Sequence, residues 1–228
     1  MPKFIDLSHE IPAEFSRAAQ FKGYRSAIIS WHKMSETKAQ ETKLLLFSDQ
    51  VSTHIDAPAH FNPNGKSIDQ MPPELVFEVA AIVLDLSYKK KRENITPGDL
   101  EAAAEKDGVE IKQGDVPLIY TGASKLWRTP EYWRYVVPVT PDAVKWILDK
   151  GVKVFGVDED EIDGDHLLWP SHMLMREREF YIIENLALWP AILELPKRFK
   201  FFGIPLAIDG ATGSPVRAVA MLQENEGK

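Results

Sequence analysis

The sequence predicts one layered α/β domain across residues 1–228, and three observations predict it. Apolar runs of strand length recur along the chain, two segments carry helix-start chemistry, and one of those helices leads straight into a strand, the unit of layered α/β folds. At 228 residues the chain can bury a sizeable core, and it shows no internal repeat and no linker.

Phe4-Ile5-Asp6-Leu7-Ser8 alternates apolar and polar and reads as a first strand, with His9 at its surface end and Pro12 closing the segment. Residues 13–24 hold Phe15, Phe21 and Tyr24 without periodicity, a loop whose aromatics pack on the core. Residues 26–31 and 43–47 read as strands, with His32 at a surface end. Pro58, Pro63, Pro72 and Pro73 then make a loop-rich stretch. Residues 76–86 are almost continuously apolar and rich in β-branched side chains, as a strand buried on both faces requires.

Thr96-Pro97-Gly98-Asp99 offers an N-cap, a proline at the first helical position and an acid to close a capping box, so a helix runs over about 97–106. Residues 116–120 form a strand closed by Thr121-Gly122. Thr140-Pro141-Asp142 repeats the helix start, and the stripe Val144, Ile147, Leu148 stops at Gly151 before a strand over 152–157. Residues 181–186 read as a strand interrupted by Glu184. Residues 201–208 and 216–221 are the last two strands, around a tight turn at 210–215, with Pro205 putting the first at an edge.

Composition narrows the function. The net charge is −7, from 34 acidic against 27 basic residues, and the one basic run, Lys89-Lys90-Lys91-Arg92, reads as a solvated loop, so no nucleic-acid partner is expected. Cysteine is absent, which excludes disulfides and thiolate chemistry and leaves only N and O ligands for a metal. The opening residues lack a signal-peptide pattern and no apolar run approaches the roughly eighteen residues of a membrane span. The expectation is a cytoplasmic protein without a membrane partner.

Chemistry concentrates in Gln50-Val51-Ser52-Thr53-His54-Ile55-Asp56-Ala57-Pro58-Ala59-His60-Phe61, where two of the six histidines flank an aspartate. The two-residue step from His54 to Asp56 sends both side chains to one face of an extended segment, and these are ligand types that zinc or manganese prefers. The competing reading is an ordinary turn with histidines packed beside aromatics; the clustering in a His-poor chain favours chemistry. Glu184 asks for a partner, because burying a lone carboxylate costs several kcal/mol. A divalent ion on such ligands lowers the pKa of water to about 7 and polarises a carbonyl, while a nearby imidazole moves the proton. Hydrolysis of a small amide, ester or lactone fits. Gly210 and Gly213 lack the lysine of a phosphate loop, and nothing offers a nucleophile elbow. His166 reads as a loop residue or an alternative ligand, and Trp127 and Trp133 as core or subunit-contact residues.

With Thr53-His54-Ile55-Asp56-Ala57-Pro58-Ala59-His60, the His172/Glu184 pair and Gly213-Ser214-Pro215-Val216-Arg217-Ala218 in view, the chain resembles the cyclase family of metal-dependent hydrolases, which includes bacterial kynurenine formamidase and isatin hydrolase. The family signature runs His-x-Gly-Thr-His-x-Asp-x-Pro-x-His, and its last eight positions match. The resemblance implies a swivelling β/β/α fold and one or two divalent ions, Zn2+ with Mn2+ as the other choice. It places the first ion on the residue at position 50, His54 and Asp56, and the second on Asp56, His172 and Glu184. His60 becomes the general acid/base. Two positions depart from the signature: Gln50 stands for the first histidine and Ser52 for the glycine. An amide oxygen is a weaker donor to zinc than imidazole but adequate for harder ions. The implied activity is an arylformamidase-like hydrolysis of a small molecule by a homodimer or larger homo-oligomer. A lactone or isatin-type ring hydrolase and a catalytically inactive metal- or ligand-binding protein are the alternatives.

Overall fold

The computed structural model describes residues 1–12, 26–164 and 167–222, so Phe15, Phe21, Tyr24 and His166 lie outside the described residues. The strands are β1 (Lys3–Asp6), β2 (Ser26–His32), β3 (Thr42–Phe47), β4 (His54–Asp56), β5 (Phe77–Asp85), β6 (Val116–Tyr120), β7 (Val154–Val157), β8 (Tyr181–Glu184), β9 (Phe199–Phe202), β10 (Gly213–Pro215) and β11 (Val219–Leu222). The α-helices are α1 (Met34–Thr37), α2 (Pro97–Asp107) and α3 (Pro141–Asp149). Among the described residues, nine strands make one mixed sheet in the order β1-β11-β9-β5-β6-β7-β8-β4-β10, while β2 and β3 pair apart from it. β5, β6, β7 and β8 are parallel, and antiparallel strands continue the sheet on both sides.

Both longer helices start as their sequences predict. Thr96 Oγ1 accepts from Asp99 N–H while Asp99 Oδ2 accepts from Thr96 N–H, and Gly108 at φ +61° ends α2 in a conformation that costs glycine nothing. Thr140 Oγ1 caps α3 by accepting from Ala143 N–H. The two helices cover one face of the parallel strands: Leu100 and Ala103 of α2, and Val144, Ile147 and Leu148 of α3, pack with Ile82, Leu84, Ile119, Phe155 and Ile182. On the other face Leu118, Val154, Tyr181 and Ile183 meet Leu7, Ile55, Phe201 and Val216. Those partners come from the chain's own outer strands and their flanks, so the sheet curls on itself and needs no second helical layer. Each fully buried aliphatic side chain contributes about 1.5–3 kcal/mol to holding this arrangement.

Four expectations need correction. The strand expected over 201–208 is β9, Phe199–Phe202; beyond Gly203, Pro205 has no N–H for a ladder and makes only an isolated bridge to Val216. The expected tight turn at 210–215 holds β10, which pairs with β4. Lys89 is buried rather than solvated, because its ammonium sits 2.6 Å from Asp99 and donates to Asn94 O. His9 is no free surface residue: its ring stacks on Trp127 at 4.0 Å between centroids.

Candidate metal centre

The register of β4 on β8 builds the site. His54 lies opposite Glu184 and Asp56 opposite Ile182, so His54, Asp56 and Glu184 project from one face while Ile55 and Ile183 project from the other into the core. The 3-10 turn His172–Arg176 brings His172 onto the same face. All four side chains are buried.

Each carboxylate turns one oxygen to each imidazole. His54 Nε2 lies 3.3 Å from Asp56 Oδ1 and 3.5 Å from Glu184 Oε2, and His172 Nε2 lies 3.6 Å from Asp56 Oδ2 and 3.4 Å from Glu184 Oε1. These separations suit neighbouring ligands of an ion held at about 2.0–2.2 Å better than hydrogen bonds. Asp56 Oδ1 and Glu184 Oε1 are buried without a hydrogen-bond partner, an arrangement that leaves them a cation to satisfy. One ligand atom each from His54, Asp56 and Glu184 lies within 4.8 Å of the others. The donor set therefore fits a divalent ion, and its two bridging carboxylates suit one ion or two.

Both imidazoles are aimed from behind. His54 Nδ1 lies 2.8 Å from Ser52 O, and His172 Nδ1 lies 2.6 Å from Asp163 Oδ2, so each ring donates there and keeps its Nε2 lone pair for the shared space. Asp163 is fixed in turn by Ser171 N–H at 2.7 Å and His172 N–H at 3.0 Å. Ser52 holds φ +56°, where the family signature has a glycine, and its hydroxyl reaches the carbonyls of His9 and Glu10 at 3.0 Å each.

The electrostatics show four groups competing for protons. Burial lowers His54, but the Asp56 carboxylate 3.3 Å from its Nε2 and the charge of Glu184 outweigh it and raise the ring to about 9. Burial and then the Asp56 charge push Glu184 up to about 7, against the pull of His172 and His54. Against burial, the His172 and His54 rings facing its two oxygens hold Asp56 below the usual carboxylate range. His172 is held well above its ordinary value by Asp163, Asp56 and Glu184 despite burial. An ion can take the place of the protons this cage attracts.

The remaining candidates lie beside the cage. Gln50 is buried, its Nε2 3.3 Å from Thr212 Oγ1 and its Oε1 without a hydrogen-bond partner. Gly213, opposite Asp56, makes room for it, since a Cβ there would lie 2.5 Å from Gln50 Nε2. His60 is half-buried at the end of the 3-10 turn Pro58–His60 and meets Phe61 edge-on at 4.7 Å, while Phe61 stacks on His172 at 4.5 Å. The structure thus gathers His54, Asp56, His172 and Glu184 into one cage, with Gln50 and His60 alongside. It adds Asp163, Asp49 and Thr212, which sequence reasoning missed; of these, Asp163 alone gave a signal, from its place in an acidic loop nine residues before His172.

Comparison with known proteins places this geometry among relatives. Residues 5–164 match the model of the Cyclase family. A kynurenine formamidase of Bacillus mycoides is 27% identical over 193 residues, 84% of each chain. One from Salinibacter ruber is 28% identical over 176 residues, 77% of each chain. Isatin hydrolase A from Labrenzia aggregata superposes with a TM-score of 0.83 at 25% identity, covering 98% of this chain and 94% of that one.

Proposed function

This chain belongs to the cyclase family, and from that premise we propose that it is a metal-dependent hydrolase of a small amide, arylformamidase-like, acting as one domain over residues 1–228. The observation that carries the reading is the buried cage of two imidazoles and two carboxylates with unpartnered carboxylate oxygens, beside a half-buried histidine. The proposed ligands are His54, Asp56, His172 and Glu184, with Gln50 offering its amide oxygen. Zn2+ suits the imidazoles, and Mn2+ suits a site with this share of oxygen donors. When bound, such an ion supplies Lewis acidity toward a carbonyl and lowers the pKa of water to about 7.

The chain's own residues supply the rest. His60 accepts a proton from the attacking water and returns it to the leaving nitrogen. Phe61, set between the His60 and His172 rings, walls the cage with apolar surface and keeps out bulk water. Asp163 and Ser52 O hold the two ligand rings in place.

A second reading, hydrolysis of an isatin-type ring or a lactone, has the support of the isatin hydrolase likeness over nearly the whole chain. The same residues would serve it. We also propose a homodimer or larger homo-oligomer. Its support is the β2–β3 hairpin, which stands apart from the sheet with Ile29, Trp31, Leu44, Leu45 and Leu46 exposed; an isolated two-stranded ribbon is marginal in water, and grouped exposed apolar side chains mark contact surfaces. A cytoplasmic location is in keeping with a chain that has no cysteine to oxidise.

The test is metal analysis of protein purified without chelator, together with hydrolysis of an aryl formamide, a lactone and isatin. One or two equivalents of metal, lost in Asp56→Ala, with turnover lost in His60→Ala while metal stays, is the expected result. Metal binding with no hydrolysis of any of the three would favour the inactive binding protein, and no metal uptake would sink both.

A further inference from the structure

The half-buried histidine beside the cage is itself held by a chain of three residues. Asp49 Oδ2 accepts twice from Thr212, from its N–H at 3.0 Å and from its hydroxyl at 2.9 Å. Thr212 Oγ1 also lies 3.3 Å from Gln50 Nε2 and 3.4 Å from His60 Nδ1. A hydroxyl has one proton to give and two lone pairs to offer. Of its three neighbours, the Asp49 carboxylate is the nearest and the only ionised acceptor, and bonds to ionised acceptors are about twice as strong as neutral ones, so the proton is committed there. The Gln50 amide nitrogen can only donate. Thr212 therefore faces His60 with a lone pair, and the contact is a hydrogen bond only when His60 carries its proton on Nδ1.

We propose that Asp49 and Thr212 are positioning residues that set neutral His60 in its Nδ1–H tautomer and leave the Nε2 lone pair as the proton acceptor of the reaction. One proton passes from water to His60 Nε2, and the same proton leaves with the departing nitrogen, so the ring returns to its starting tautomer at each turnover. Gln50 belongs to the same device: its Nε2–H takes a second Thr212 lone pair, which keeps the hydroxyl from turning toward His60. The role of the tautomer in catalysis rests on reading His60 as the proton carrier; the tautomer itself does not.

The test is a two-bond proton–nitrogen correlation spectrum of protein labelled with 15N-histidine, at about pH 8.5 where an ordinary imidazole is neutral, with His60→Gln used to assign the signal. Wild type, Thr212→Val and Thr212→Ser are compared, each with metal content, kcat and KM. Wild type should show the Nδ1–H pattern for His60. Thr212→Val should lose it and lower kcat about 10- to 100-fold with KM within twofold and metal content unchanged, and Thr212→Ser should restore both. A wild-type His60 protonated at Nε2, or a folded Thr212→Val that keeps both the Nδ1–H pattern and kcat, would overturn the proposal. A wild type that hydrolyses nothing, but loses the pattern in Thr212→Val, would fail the hydrolase reading and leave the positioning standing.

Discussion

Asp163→Asn isolates what the residue behind His172 does. The carboxylate accepts three hydrogen bonds, Ser171 N–H at 2.7 Å on Oδ1, and His172 N–H at 3.0 Å and Nδ1–H at 2.6 Å on Oδ2. An amide keeps the shape but turns one end into a donor. With its oxygen at the Oδ2 position both His172 bonds survive, while the new NH2 faces the Ser171 N–H, donor against donor. The reverse orientation loses both His172 bonds, so the first is preferred. It leaves the Ser171 N–H and the new NH2 both unsatisfied, at least about 1–3 kcal/mol of stability, which for a chain of this size lowers the unfolding temperature by roughly 2–12 °C. The bond to Nδ1 also loses its charge, and changes of this kind behind a ligand histidine lower metal affinity about 10- to 100-fold. Competition with a chromophoric chelator measures the affinity, and thermal unfolding of the metal-free protein measures the stability. Lowered stability with affinity within twofold of wild type would refute the claim that Asp163 presents His172 to an ion. No change in either would refute the hydrogen-bond geometry itself.

The same geometry fixes three further outcomes. The chelated protein should lose stability as pH rises: from pH 4.5 to about 7 the unfolded chain releases the Glu184 proton that the fold retains, and from 6.5 to about 9 the same holds for His54, so each window favours the unfolded chain. The metal-loaded protein, whose ion replaces those protons, should not show this loss, so parallel unfolding temperatures of the two forms between pH 5 and 9 would count against the cage. Gly213→Ala puts a methyl 2.5 Å from Gln50 Nε2 and 2.9 Å from Ile55 O, and since backbone cannot yield, about 1–3 kcal/mol should be lost in denaturant unfolding; an unchanged midpoint would mean that Gln50 does not pack there. Leu44→Asp with Leu46→Asp should reduce a dimer or larger assembly to monomer in light scattering, and an assembly that survives would place the joint elsewhere than the hairpin.

The parts of the fold that are legible in the sequence are those whose determinants are local. Thr96 and Asp99 satisfy each other's backbone within four residues, so their helix can be read without knowing what it packs against. Likewise 76–86 and 116–120 announce themselves as strands by their apolar runs: 116–120 is buried throughout, and in 76–86 Ala81, Ile82, Leu84 and Leu86 are buried, while Phe77 and Glu78 are exposed. β10 cannot be read. Three residues, Gly213, Ser214 and Pro215, form a strand only because β4, more than 150 residues away, lies open beside them, and nothing local distinguishes that pairing from a turn. Lys89 escapes for the same reason: its partner Asp99 sits on a helix whose position is set by packing.

The site divides along the same line. His54 and Asp56 share a face because strand side chains alternate, and Glu184 stands out because a lone carboxylate in an apolar strand is costly; both inferences rest on residues within a strand. His172 comes only with the family pattern, and Asp49 and Thr212, 163 residues apart, come with neither. Position 50 carries the consequence. The pattern puts a histidine there, and a glutamine read against it looks like a weakened ligand. In the fold, Gln50 Nε2 is engaged by Thr212, which also contacts Asp49 and His60, so the substitution joins position 50 to the residue proposed to move the proton. Only Oε1 remains for an ion. The His172 and Glu184 half of the cage keeps every donor, so the divergence of this chain from its signature falls on the side of the centre that holds His60, and, on the proposed role of that ring, differences in rate and substrate, more than in the capacity to hold one ion, are where it should be sought.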